Sequence, residues 1–405
     1  MRYMNVKQAS EKWGVTTRRI QDLCKQGKIP GAQLWERTWM LPEDAVYPRA
    51  SSPAEKMPMP RKSPFLTMTD LYHTPGNADA AAEALAGQPE AKALFEAEIA
   101  YSRGDIDAVY EKARYFLDNH SGPYAVIASG MLLGLCAMWK GDLEMFKKAK
   151  MHICEVPDKT GIHQSIVELS LAATDLSIRD LRDFPDWFKR GCFSRLPADA
   201  HPAAKVYYVK LLMIYVQDLA MDKFSREGMT GLSLMKVLPN TIEPLVTQAV
   251  VDKTIMAELY LRLLCAICCQ NGGDTDRAVH HIDKALALAL PDRLLGPLAE
   301  HRRQLGHLLD DRLALVDPEA LKELKALHKQ LNAGWTKLHN AVLEKCVSAD
   351  LSAREREVAR LAAFGLSDAQ IAGQLGLSKS TVKSLISMAT NKTGSMKRAE
   401  LVAFI

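Results

Sequence analysis

From about residue 80 to residue 345 apolar residues recur at three- and four-residue spacing through Ala-, Leu-, Lys- and Glu-rich segments. That period predicts helices, and no series of alternating runs predicts a sheet. Both ends of the chain show shorter, more punctuated patterns. Near the C-terminus Ser352 is followed three residues on by Glu355, and Ser367 by Gln370. Each pair is a capping box, so helices are predicted to start at about 353 and 368. Gly365 and Gly376 end them, and Ser378 caps a third helix. Val382, Ile386 and Ala389 share one face of that third helix. Lys379, Ser380, Lys383, Ser384 and Ser387 occupy the other, beside Thr381 and without any acid.

The short connection between the second and third of these helices predicts a helix-turn-helix. An acid-free face suits a DNA major groove. It supplies cations to phosphates and short polar groups to base edges. At the N-terminus, Asn5 and Gln8 form another capping box, and Gly14 ends the first helix. Thr16 or Thr17 opens a second helix, whose apolar side is Ile20, Leu23 and Cys24. Its other side shows Arg18, Arg19, Gln21 and Lys25, and Gly27 and Pro30 close it. Gln33–Trp35 and Thr38–Leu41, joined by Glu36 and Arg37, predict a β-hairpin. Trp13, Trp35 and Trp39 are expected in the core of this small domain.

In the middle region a phrase recurs: Gly-Asp before an amphipathic helix, at Gly104-Asp105, Gly141-Asp142 and Gly273-Asp274. Glycine can end one helix in the left-handed conformation and aspartate can cap the next. The first two glycines are 37 residues apart, close to the length of a helical-hairpin repeat. Residues 48–79 carry six prolines and predict a linker. The expected domains are therefore 1–48, a linker over 49–79, a helical body over 80–345 and a C-terminal domain over 346–405.

Charge sharpens this division. Residues 1–62 hold 12 Lys/Arg against 6 Asp/Glu, and 351–405 hold 8 against 4. With a net charge of +4 for the chain, the middle is left at −6. Two small basic ends on an acidic body suggest a polyanion as partner of the ends. Eight cysteines without framework spacing predict free thiols in a reducing, cytoplasmic setting. MLLGLCAMW, residues 131–139, is the longest clean apolar run and fits a core helix rather than a membrane span. GxxxxGK[ST], GxSxG and HExxH are absent, so no enzyme, no cofactor and no metal is assigned. Cys265, Cys268 and Cys269 suggest a metal or redox site as one reading, but they sit in an apolar helix, where cysteine serves as a small hydrophobe. His280, His281, His301 and His307 fall on polar helix faces and are expected in solvent.

Two resemblances add to this reading. The C-terminal segment resembles the LuxR-type helix-turn-helix, matched at Leu351, Glu355, Val358, Gly365, Ile371, Ala372, Leu375, Ser378, Thr381, Val382, Lys383, Lys392, Gly394, Arg398 and Leu401. It departs at Leu385, where that family commonly has His, and at Thr393, where it has Leu. The resemblance implies a recognition helix over about 379–392 and a last helix, 397–405, that often forms a homodimer contact. The N-terminal segment resembles the MerR/excisionase-type winged helix. That implies DNA contacts from Thr17, Arg18, Arg19, Gln21 and Lys25, with Arg37 at the tip of the wing. The Gly-Asp segments resemble tetratricopeptide-like repeats, an α-solenoid. An irregular helical bundle is the other reading of them.

The fold expected is mainly α: a small winged helix, a repeat-like helical body and a four-helix LuxR-type domain. The function expected is a bacterial transcriptional regulator that binds double-stranded DNA and whose helical body senses a small molecule or a protein. Two other classes fit the same residues: an architectural, excisionase-like DNA-bending protein, and a helical scaffold for protein partners.

Overall fold

In the computed structural model the chain divides into two compact units, residues 1–60 and 61–405. The structure describes residues 3–13, 15–25, 29–36, 38–43, 45, 63–118, 122–156, 162–221, 231–344, 351–393 and 397–404.

The first unit holds strand β1 (Tyr3–Asn5), helices α1 (Val6–Trp13) and α2 (Thr17–Lys25), and strands β2 (Gln33–Trp35) and β3 (Thr38–Pro42). The Asn5 side chain accepts from the Gln8 amide and the Gln8 side chain from the Asn5 amide, both at 2.9 Å, so this capping box forms as expected. Strands β2 and β3 pair antiparallel as the predicted hairpin, with Leu34 opposite Trp39. Strand β1 was not predicted. It completes an antiparallel sheet in the order β1-β3-β2, with Met4 opposite Leu41. Met4, Val6, Ala9, Ile20, Leu23, Cys24, Ile29 and Leu41 form the core, against which Trp13 and Trp39 pack. Trp35 departs from expectation. Its strand is the free edge of the sheet, and its side chain is 67% exposed. Gly14, Gly27 and Arg37 lie outside the described residues.

The second unit is helical. Its body runs through α3 (Ala78–Glu83), α4 (Pro89–Arg103), α5 (Ile106–Asp118), α6 (Pro123–Lys140), α7 (Leu143–Cys154) and α8 (Ile162–Ser177). It continues with α9 (Asp186–Lys189), α10 (His201–Met221), α11 (Gly231–Val251), α12 (Ile255–Gly272) and α13 (Thr275–Ala289). Helices α14 (Leu295–Leu305), α15 (His307–Val316) and α16 (Pro318–Leu343) complete it. Then come α17 (Ala353–Ala363), α18 (Asp368–Leu375), α19 (Lys379–Thr393) and a 3-10 segment, Arg398–Phe404. Helices adjacent in sequence pack on each other from α4 to α7 and from α10 to α13.

All three Gly-Asp phrases do what their chemistry suggests. Gly104, Gly141 and Gly273 end α4, α6 and α12 with φ of 89°, 64° and 86°. Asp105, Asp142 and Asp274 then accept from the amides of Ala108, Met145 and Arg277 at 3.0–3.1 Å. Helix α16 crosses two of these turns. A Cβ at Gly104 would meet Leu327 at 2.8 Å, and one at Gly141 would meet the Gly334 carbonyl at 3.0 Å. Helix α6 is apolar over 18 residues, long enough to span a bilayer, and longer than the run seen in the sequence. It is 72% buried inside the body, among α5, α7, α8 and α16, so it is a core helix.

The expected linker is corrected in part. Residues 46–62 lie outside the described residues, but 63–79 are packed on the body. Phe65, Leu66, Met68 and Tyr72 are buried there, apolar residues set between the prolines. The backbone is held by two buried carboxylates. Glu98 accepts from the amides of Leu66 at 2.8 Å and Thr67 at 2.6 Å. Asp292 accepts from the Tyr72 hydroxyl and the Gly76 amide, both at 2.6 Å. Burial pushes the Glu98 carboxyl up to about 7, against the pull of those amides. A hydrogen bond to a charged group contributes ~1.5–3 kcal/mol. Glu98→Ala should therefore release this strap. Limited chymotrypsin digestion with mass spectrometry should show early cleavage after Phe65, Leu66 or Tyr72 in the variant and not in the parent.

Candidate nucleic-acid interface and the cavity behind it

The C-terminal domain is built by caps. Ser352 and Glu355, and Ser367 and Gln370, make complete reciprocal capping boxes at the starts of α17 and α18. Gly376, with φ of 62°, turns the chain out of α18, and the Ser378 hydroxyl accepts from the Thr381 amide at 3.1 Å to start α19. Val382, Ile386 and Ala389 then face a core shared with Val358, Ile371 and Leu401. Arg398 fastens the last segment to α18 through Asp368 at 2.7 Å and the Leu366 carbonyl at 3.2 Å.

This leaves one face of α19 in solvent. Lys379, Ser380, Thr381, Lys383, Ser384 and Ser387 are all exposed on it. The two departures from the family pattern are absorbed internally. Leu385 packs into the domain core. Thr393 is buried and its hydroxyl donates to the Ala389 carbonyl at 2.8 Å. Gly394 lies outside the described residues. In the first unit Thr17, Arg18, Gln21 and Lys25 are exposed on α2. Arg19 belongs to the same helix.

The domain rests on the body. Phe364, at the end of α17, belongs to the body's core rather than its own. The Arg179 guanidinium donates to the Val402 carbonyl at 3.2 Å, and the 3-10 segment packs against α10. The segment expected to form a dimer contact is thus partly taken up within the chain, with Leu401 and Val402 buried. A cavity of about 150 Å³ lies at this junction, between Gln270, Asn271 and Arg302 of the body and Arg356, Arg360 and Val402 of the domain.

Behind it the body holds a larger cavity of about 220 Å³. Its walls are apolar and methionine-rich, with Met68, Met131, Met213 and Met256 among them. A buried polar cluster occupies one side. Glu300 accepts from the hydroxyls of Tyr101 at 2.9 Å and Tyr260 at 3.1 Å, and pairs with Lys210 at 3.1 Å. The Lys210 ammonium also lies 4.6 Å from the centre of the Tyr260 ring. Burial alone would push the Glu300 carboxyl up; the Lys210 charge and the hydroxyl bonds outweigh it and hold the group below its ordinary value. Arg303 and Gln304 line both cavities and so form the wall between them. Burial beside Arg356 and Arg179 brings Arg303 down to about 9.

The sequence singles out His301 and His307 among the cavity residues, but not Tyr101, Lys210, Tyr260 or Glu300 of the polar cluster. Lys210 in YYVKLLMIY was the available signal: one charge within an otherwise apolar helical run. Two of the histidines expected in solvent are buried, His281 and His301, while His280 and His307 are exposed. The His301 ring bonds the Pro297 carbonyl at 2.7 Å, and burial brings it down to about 4, so it is neutral. Cys265, Cys268 and Cys269 are buried in α12, and the seven cysteines among the described residues are free thiols.

Residues 349–405 match the family model of the bacterial regulatory proteins of the luxR family. The C-terminal domain is thus a LuxR-type helix-turn-helix domain, and the match supports a DNA-binding transcription regulator of that type. No curated protein and no solved structure gives a significant match to the chain.

Proposed function

We propose that the chain is a transcription regulator that reads DNA with α19 and is controlled by a ligand held in the body. The observation that carries the first half is the exposed, acid-free face of α19 within the LuxR-type domain. Lys379 and Lys383 supply phosphate contacts, and Ser380, Thr381, Ser384 and Ser387 supply short donors and acceptors to base edges. Lys383→Ala should weaken operator binding by ~1–3 kcal/mol without unfolding the domain. Electrophoretic mobility shifts beside circular dichroism check this. Unchanged affinity with an unchanged fold removes α19 from the interface.

What supports the second half is the wall shared by the two cavities. A small, mostly apolar molecule with an acidic group suits the larger one, because Lys210 and Arg303 offer charge among methionines and aromatic rings. Its contact with Arg303 reaches the junction with the DNA-binding domain. A thermal-shift screen of small aromatic acids tests this, with Lys210→Ala expected to abolish any stabilisation found.

The first unit serves as a second DNA reader, through Thr17, Arg18, Arg19, Gln21 and Lys25, together with Arg37. A fragment of residues 1–48 should bind duplex DNA with affinity that falls steeply as salt rises. A folded fragment that binds no DNA at low salt makes this unit a protein-binding module.

A further inference from the structure

Three soft ligand groups converge where α11, α12 and α13 meet, away from both cavities' polar clusters. Cys265 and Cys269 stand one helical turn apart on α12, and His281 reaches them from α13. One ligand atom from each lies within 4.8 Å of the others, and all three side chains are buried. We propose that this trio binds a thiophilic divalent metal ion, of which Zn2+ is the type.

The histidine argues for it most directly. His281 is 4% exposed, enclosed where α11, α12 and α13 meet. Its Nε2 lies 3.3 Å from the Glu243 carboxylate. A carboxylate only accepts, so Nε2 carries the hydrogen and Nδ1 is left with a bare lone pair. Among the described residues, buried Nδ1 has no hydrogen-bond partner. A buried acceptor left unmatched is costly, and a metal ion matches it. Glu243 is in turn held by Arg277 at 2.7 Å. Carboxylate, imidazole and metal in series is the arrangement that orients metal-binding histidines.

The charges also close. Two thiolates, a neutral imidazole and a divalent ion sum to zero, which a buried site tolerates far better than a bare ion. Loading releases the two thiol protons. Ligand atoms around tetrahedral zinc lie ~3.5–3.8 Å apart, so the trio needs to contract by no more than about 1 Å. Cys269 also lines a surface cavity with Lys236, Asp274 and Arg277, which gives the ion a route in and leaves a fourth position for water. Cys268, between the two ligands in sequence, is buried but not part of the trio.

Helix α12 also lines the larger cavity with Tyr260 and Leu264, and the junction with the DNA-binding domain with Gln270 and Asn271. A metal that pins α12 to α13 therefore acts on the helix that borders both.

The test uses the full chain, reduced and treated with chelator, then titrated with Co2+ as a spectroscopic stand-in for Zn2+. One equivalent should bring up thiolate-to-cobalt charge-transfer absorption, and Zn2+ should bleach it. Cys269→Ser and His281→Gln should lose the absorption, while Cys268→Ser should keep it. Glu243→Gln should weaken binding by ~10–100-fold, the effect of losing an outer-shell carboxylate. A parent chain that gives no such absorption overturns the proposal, as does a signal that survives His281→Gln or vanishes with Cys268→Ser.

Discussion

Replacing Glu300 by alanine should destabilise the helical body by ~3–5 kcal/mol, the usual penalty for stripping one partner from a buried ion pair. The residue sits at the centre of the cavity's polar cluster. Removing it leaves the Lys210 ammonium beside two tyrosine hydroxyls that have lost their acceptor, in a space walled by methionine. Glutamine should cost less, because its amide oxygen can still accept from one hydroxyl. The pH dependence has a definite sign. The Glu300 carboxyl is held below its ordinary value of 4.5, so its contribution is complete above that value and is lost as pH falls through the lower, folded one. Urea unfolding followed from neutral pH into acid should show the parent losing stability below about 4.5. Glu300→Gln should start lower and lose less. A variant as stable as the parent at neutral pH would mean that the pair contributes nothing net, and that the cluster serves binding alone.

The parts of this chain that were legible in the sequence are those specified by local chemistry. The capping boxes at Asn5, Ser352 and Ser367, the Gly-Asp turns and the two-residue hairpin each depend on neighbours within a few positions. The acid-free face of α19 is legible for the same reason, since a helix lays out its own sides. What failed depends on distant partners. Residues 63–79 read as a linker from their prolines, yet Glu98 and Asp292, far along the chain, anchor them. His281 looks polar on its own helix, and only the arrival of α11 with Glu243 buries and orients it. Trp35 fails in the other direction: as a large aromatic it is expected in the core, but β1 pairs with β3 and leaves β2 at the edge. The cavity's polar cluster draws Tyr101, Lys210, Tyr260 and Glu300 from four helices, and no local pattern could have assembled it.

The same dependence on distant partners makes Gly334 the most demanding backbone position in the body. In its helix, α16, a methyl group at 334 would stand 2.5 Å from the Met138 carbonyl oxygen and would overlap that of Trp139 outright. Both are backbone atoms at the end of α6, so no side chain can turn aside. The helices would have to part. That would open contacts along α6, whose Trp139 is 1% exposed and donates to the Tyr101 hydroxyl at 3.4 Å. Gly334→Ala should therefore cost ~3 kcal/mol or more, at or beyond the upper end for inserting one methyl into a packed core. Gly273→Ala is the control. That glycine has φ of 86° but, among the described residues, nothing within 4 Å of an added Cβ, so it carries only the strain of the left-handed backbone, ~1 kcal/mol. Denaturant midpoints should separate the two variants clearly. A functional consequence follows from connectivity. Helix α16 is the last helix before the DNA-binding domain, and Trp335, next to Gly334, donates to the Ser177 carbonyl at 2.9 Å and stacks under Arg303 at 5.3 Å. A displaced α16 would move Arg303, one of the two residues common to the two cavities. Gly334→Ala should thus change operator affinity as well as stability, at temperatures where the chain is still folded. If operator affinity stays at the parent value while stability falls, the body and the DNA-binding domain act independently, and the control proposed for the cavity has no path to α19.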